Sequence, residues 1–331
     1  MERFLEFTGN IYLLDKFSIK CYNIRIKHQS TDTRKEGKDM ATLWKEEYKV
    51  GIDKIDEQHR QLFDKMEQLL EIAKSGNRNS NQKKCMEIID FLVDYTVFHF
   101  DTEEALQRDR KYISYAQHIK IHTDFKNTVQ AYKELLSTDF SAKTLKSFIG
   151  TMLAWLVNHV CVCDRKILKN IPLQSMESFA DTESFIENVA HKLLTEMYNI
   201  PIRGVKSCIY KGNVDGAVIV RTVAEGKNKH LFLYGMSDKL AEILYNKISG
   251  MSLPHLDFLD EIEKSALMEI GNIITTYAMG AIEESHRNGV QFKSDLYVHE
   301  YNETDYNIIN SVILEITTDY GKMEILYSRL K

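Results

Sequence analysis

Between Met40 and Asn170 the chain holds five histidines, His59, His99, His118, His122 and His159, in segments otherwise rich in aliphatic and aromatic residues. His118 and His122 are four apart, as are His99 and Glu103 in the run VFHFDTEE, so each pair shares one face of a helix. A lone histidine of this kind is usually a satisfied core or surface residue. Five of them on successive helices are harder to bury, because each unsatisfied polar group costs about 1–3 kcal/mol. A bound metal removes that cost: imidazole suits iron, zinc and copper, and a carboxylate can bridge two ions. The H-E-x-x-H of zinc proteases is absent. The order His-x-x-x-Glu, with histidines in excess, also differs from the Glu-x-x-His of ferritin-like di-iron sites. Several carboxylates are available, among them Glu103, Asp164, Asp90, Asp94 and Asp101. His159 and Asp164 are five apart, offset by about 140° on an α-helix, and spacing alone does not single Asp164 out.

A second candidate lies in EKSALMEIGNIITTYAMGAIEE. Glu269 and Asn272 are three apart and share a helix face with Ser265, one turn earlier. Glu-x-x-Asn is common on solvated helices. Here, however, Gly271 and Asn272 are poor helix formers that interrupt a good helix, and such local inconsistency is expected at functional positions.

Four long helical patterns must position the first set. They are IDEQHRQLFDKMEQLLEIAK, QKKCMEIIDFLVDYTVFHFDTEEALQR, YAQHIKIHTDFKNTVQAYKELL and SAKTLKSFIGTMLAWLVNHVCVCDRKILKN. Joined by short connections such as SGNRNS, they predict an all-α, four-helix up-and-down bundle over residues 40–170. Pro172 and the stretch after it predict a linker at 171–180. Residues 181–331 read as an α/β domain. Its helices are expected near 182–197, 237–249 and 257–284, with strands in GAVIVRT and HLFLYGM and a terminal strand pair in IINSVILEITTDYGKMEILYS. Residues 1–39 hold no sustained helical period, and KHQSTDTRKEGKD reads as a solvated, disordered segment. Lys-Glu-Gly just before Met40 is also encodable as a ribosome-binding string, so the expectation is either a disordered extension or a mis-assigned start.

Length and composition set limits. At 331 residues, 44% hydrophobic and 27% charged, the chain can bury two cores. A net charge of −5 offers no basic field for nucleic acid or anionic membrane. Uninterrupted apolar runs fall short of the roughly 18–20 residues of a membrane span, and the charged N-terminus does not read as a signal peptide. Five scattered cysteines fit a reducing compartment, so a cytoplasmic protein is expected.

The region from Trp44 to about Leu168, through LWKEEYKVGIDKIDEQHRQLF, HFDTEE, HIKIH and HVCVCD, resembles bacterial hemerythrins. That resemblance implies two non-haem irons, one held by His118, His122 and His159 and the other by His59 and His99. It also implies bridging by Glu103, Asp164 and an oxo or hydroxo group, with O2 as ligand. Phe98 and Phe100 are expected to exclude water. Cys163, four residues after His159, is read as a core residue, the alternative being a redox-sensitive thiol near the irons. Residues from about 176 to 331 resemble the CheX-type phosphatases of bacterial chemotaxis, through Ser265, Glu269 and Asn272 in a single Ser/Asp-x-x-x-Glu-x-x-Asn motif. The proline often found after that Asn is missing from RNGVQFKSDLYV. This second resemblance implies hydrolysis of the aspartyl phosphate of a CheY-like response regulator. Asn272 would orient water, Glu269 would pair with a receiver lysine, the receiver would bring Mg2+, and the second domain would form a homodimer. Together the two halves imply an O2- or redox-sensing di-iron protein that controls a response-regulator phosphatase. The alternative is an O2-binding protein whose second domain docks a receiver without catalysis.

Overall fold

Apolar residues at three-and-four spacing form long helices where the sequence predicts them. In a computed structural model, residues 42–75, 78–170, 182–210, 212–226, 228–282, 291–299, 301, 308 and 311–330 are described. The expected extension at 1–39, the linker at 171–180 and the RNGV segment lie outside these residues. Helices α1 (Asp53–Lys74), α2 (Arg78–Asp109), α3 (Tyr115–Thr138) and α4 (Ala142–Asn158) share one core, in which Phe63, Met66, Leu92, Phe125, Phe148 and Leu153 are buried. The buried Asp56 carboxylate sets the entry to α1, accepting the Val50 and Gly51 N–H groups at 2.7 and 3.1 Å. Ser141 caps α4, its hydroxyl accepting the Thr144 N–H at 3.1 Å. Beyond Asn158 the helix continues as a π-helical stretch, His159–Asp164, and then as α5 (Arg165–Lys169).

The second half is built on an antiparallel sheet. Its strands are β1 (Ile202–Ile209), β2 (Val218–Glu225), β3 (Lys229–Met236), β4 (Gln291–Val298), β5 (Val312–Thr318) and β6 (Gly321–Leu330), in the order β1-β5-β6-β3-β2-β4. The register pairs Val220 with Tyr234, Leu233 with Leu326 and Leu314 with Ile325. Alternation along β2 sends Val218 and Val220 to one face and Ile219 and Val223 to the other. The first face carries α6 (Thr182–His191, running into a π-helical Lys192–Met197), α7 (Asp238–Ser249) and α8 (Glu261–Ile282). Tyr210, Val214, Tyr301 and Ile308 cover the second. The predicted strands are present in β2, β3, β5 and β6. The two edge strands, β1 and β4, were not expected, because β1 is largely exposed and β4 mostly half-buried, which leaves little apolar pattern to read.

From Thr42 onward the chain is one compact unit, and its two cores interlock. Ala154 of α4 packs in the core of the second half, and Ile262 of α8 packs in that of the first. Burial on both sides explains why FIGTMLAWLVN is apolar all round. By length and composition the whole helix Ala142–Lys169 would qualify as a membrane span, although no single apolar run within it does. Protein buries 78% of its apolar window, which marks it as the central helix of the assembly.

Candidate metal centre and the Glu269–Asn272 pair

His59 on α1, His99 and Glu103 on α2, His118 and His122 on α3, and His159 with Asp164 at the end of α4 converge in one buried cluster. Glu103 places Oε1 3.0 Å from His118 Nε2, and Oε2 3.6 Å from both His99 and His122 Nε2. Asp164 places Oδ1 3.1 Å from His159 Nε2 and 3.3 Å from His118 Nε2, while Oδ2 lies 3.2 Å from His59 Nε2. Each carboxylate therefore faces both sets of imidazoles. Two ion-sized groupings result, Glu103 with His118, His122 and His159, and His59, His99, Glu103 and Asp164. The other carboxylates do not compete: Asp90, Asp94 and Asp101 are exposed, and Asp90 pairs with Lys133 at 2.9 Å.

The π-helical stretch explains how Asp164 arrives. Its backbone hydrogen bonds close at i+5 rather than i+4, a wider turn that brings residues five apart onto the same side. The 140° offset expected on an α-helix does not apply.

The donor set fits a cation. The buried His59 Nε2, Glu103 Oε2 and both Asp164 oxygens make no well-formed hydrogen bond among the described residues. The Nε2 atoms of His118 and His122 point at that of His159 from 3.4 and 3.0 Å. Three imidazole nitrogens facing one another so closely need a positive charge among them. Burial pushes His59 down to about 4 and His99 to about 3, and lowers His122 and His159 further, so these four rings are neutral, the form that binds metal. Burial also opposes charge on His118, but Glu103 and Asp164 outweigh it and push His118 up to about 10. The two carboxylates thus demand a positive charge at the centre, as a metal ion would supply.

Residues that sequence reasoning did not single out orient this set. Gln58 Oε1 accepts from His99 Nδ1 at 3.1 Å, Glu104 Oε1 accepts from His122 Nδ1 at 3.0 Å, and Gln107 donates to Glu103 Oε1 at 2.7 Å. Each leaves the far side of its partner turned to the centre. Gln107 could have been found, since 99, 103 and 107 form one i+4 series; Gln58 and Glu104 are merely neighbours in sequence of His59 and Glu103. Gln58→Leu removes the acceptor that fixes the His99 ring. It is expected to weaken iron retention against a chelator by about 10–100-fold, with α-helical content unchanged.

Aromatic rings wall the cluster. Phe100 stacks on His122 with centroids 3.7 Å apart, and Trp155 on His159 at 4.2 Å. Phe98, expected beside Phe100, is 37% exposed and points away. A cavity of about 10 Å³ adjoins His99 and His159, lined mostly by apolar residues including Leu62, Met66, Leu92 and Trp155. Cys163 packs with Tyr112 and Ile167, as a core residue would.

On α8, Asn272 Nδ2 donates to Glu269 Oε2 at 3.0 Å, and Asn272 Oδ1 accepts from Ser294 Oγ on β4 at 2.6 Å. Burial pushes the Glu269 carboxyl up to about 7, against the pull of the Asn272 amide. Ser265, buried, donates to Ser147 of α4 at 3.0 Å. Gly271 has a packing role instead: a Cβ there would press Val220 and Thr222 of the sheet, so only glycine lets α8 lie this close.

The family model of the hemerythrin HHE cation binding domain matches residues 50–171. The bacteriohemerythrin of Clostridium acetobutylicum is 29% identical over 127 residues, covering 38% of this chain and 98% of that protein. The bacteriohemerythrin of Stenotrophomonas maltophilia is 34% identical over 124 residues, covering 37% of this chain and 76% of the relative. The second half is similar to a chain of the CheX–CheY–BeF3–Mg2+ complex of Borrelia burgdorferi, at 18% identity and a TM-score of 0.36, over 46% of this chain and all of that one. Through its helical half, whose cation donors stand on four helices around one buried centre, the chain belongs to the hemerythrin family.

Proposed function

We propose that residues 40–170 hold two non-haem irons and sense O2 or redox state, and that residues 181–331 dephosphorylate a CheY-like response regulator under their control. The observation that carries the first part is that Glu103 and Asp164 each face both histidine sets. When bound, the iron pair with its bridging oxo or hydroxo group would supply reversible O2 binding. The protein's part is to keep His59, His99, His122 and His159 neutral and to orient the rings, with Gln58 and Glu104 holding two of them by Nδ1. The apolar cavity and the Phe100 and Trp155 rings keep water from the centre.

For the second part, an acyl phosphate is already reactive, so a catalyst mainly positions water for in-line attack. Asn272 carries the amide for that task. Glu269, three residues earlier, can meet the lysine of a receiver, which would bring its own Mg2+. The setting is a cytoplasmic protein, and a homodimer would form through the second half. The test is the rate of phosphate loss from a phosphorylated receiver, with the iron-loaded chain kept deoxygenated or exposed to air. The two rates are expected to differ by about fivefold or more; equal rates would leave two working halves without coupling.

One observation favours a second reading, docking without hydrolysis. Both ends of the Asn272 amide are engaged within the protein, by Glu269 and by Ser294, which suits a structural tie between α8 and β4.

A further inference from the structure

The helix that bears His159 lies directly on the helix that bears Glu269 and Asn272. At 100° per residue, Ile262, Ser265, Ala266, Glu269 and Ile273 share one face of α8, while Gly271 on the opposite side meets the sheet. That shared face is turned to α4. A Cβ on Gly150 would run into the Ile262 carbonyl oxygen and meet Ser265 Cβ at 3.0 Å. Ser265 Oγ donates to Ser147 Oγ, which is itself bonded to Tyr132 of α3 at 3.0 Å. At the helix start, Lys146 pairs with Asp260 at 2.6 Å, and Asp260 caps α8 by accepting the Ile262 N–H at 2.8 Å. Farther along, Thr276 is exposed. The edge of this cover therefore runs through the half-buried Glu269 and Asn272.

We infer that α4 and the phosphorylated receiver compete for this one face of α8. The inference rests on the reading of Glu269 and Asn272 as the receiver's contacts. A receiver lysine reaching Glu269, with the receiver's body laid along α8, needs the surface that Ser147, Gly150 and Ala154 now occupy or border. Two features fit a cover that can lift. The polar part of the contact is two serines and one rim ion pair, groups that water can satisfy when the helices part. Glu269 is desolvated at its edge, which its carboxyl registers as a raised pKa. The same helix carries the cover and two of the candidate ligands, so a shift at the metal centre changes what the receiver must displace.

The test uses the full-length, iron-loaded chain and a CheY-type receiver activated with beryllofluoride and Mg2+. Gly150→Leu forces α4 from α8, and Lys146→Glu reverses the rim pair; iron content serves as the check on folding. If α4 covers the face in about nine molecules of ten, uncovering it raises receiver affinity and dephosphorylation rate by about tenfold in Gly150→Leu. Lys146→Glu, which strains only the rim, should gain about threefold, and it carries the test if Gly150→Leu does not fold. In the wild type, receiver binding should speed hydrogen exchange along Lys146–Ala154. Tighter binding with that loss of protection, but no hydrolysis, would keep the competition and remove the phosphatase. A wild type that binds and hydrolyses, with variants no tighter and α4 still protected, would keep the phosphatase and overturn the competition. No binding by any form would end both.

Discussion

With the two irons proposed above, Glu103→Ala is expected to leave less than one per chain, since Glu103 is the carboxylate common to both donor groups and its loss weakens both sites at once. The geometry makes this residue more sensitive than any single histidine. One oxygen faces His118 and the other faces His99 and His122, which belong to different donor groups. Removing the carboxylate also takes away one of the two charges that hold His118 up near 10, so the centre no longer demands a cation as strongly. Gln107 is left with a buried amide and no acceptor, a cost of about 1–3 kcal/mol. Thermal stability should then fall further by the binding energy of the lost ions, about 3 kcal/mol for free iron at a hundredfold excess over its Kd. Metal analysis after gel filtration, followed by a melting curve with and without added Fe2+, reads both effects. Two irons per chain in Glu103→Ala would remove Glu103 from the bridge and leave Asp164 to act alone.

The two halves of the molecule differ in how much of them the sequence discloses. The metal centre was readable because its donors are polar groups on apolar helix faces, and two of the pairs repeat at four residues. Asp164 was not readable from spacing, because a π-helical turn changes the arithmetic that relates it to His159, and no residue in HVCVCD announces that turn. In the second half, β2 and β3 were visible as buried apolar runs, while the edge strands β1 and β4 carry too little apolar pattern. Gly271 was read as a functional irregularity beside Asn272, yet its role is to let α8 approach Val220 and Thr222. The contact between the halves did leave a trace: α4 is apolar around its whole circumference, more than one core requires. Gly150 in its middle marks where α8 comes closest.

Asn272→Ala is expected to lower receiver dephosphorylation by about a hundredfold, the scale on which loss of positioning affects a reaction whose bond-breaking is intrinsically easy. The substitution is a clean probe for a physical reason. Alanine is the better helix former by under about 1 kcal/mol, which offsets part of the loss of two hydrogen bonds, to Glu269 and to Ser294. Ser294 keeps Thr222 as a partner at 2.9 Å, so no buried hydroxyl is orphaned. The fold and the α4–α8 contact should therefore persist, and affinity for a beryllofluoride-activated receiver should stay within about threefold of the wild type, because Glu269 and the shape of α8 remain. Rate and affinity then separate the two readings of this half. A large loss of rate at constant affinity places the amide at the attacking water, reached by its second N–H or by release of Ser294 when the receiver arrives. An unchanged rate would mean that the Asn272–Ser294 bond is a structural tie between α8 and β4, and that any hydrolysis belongs to the receiver itself.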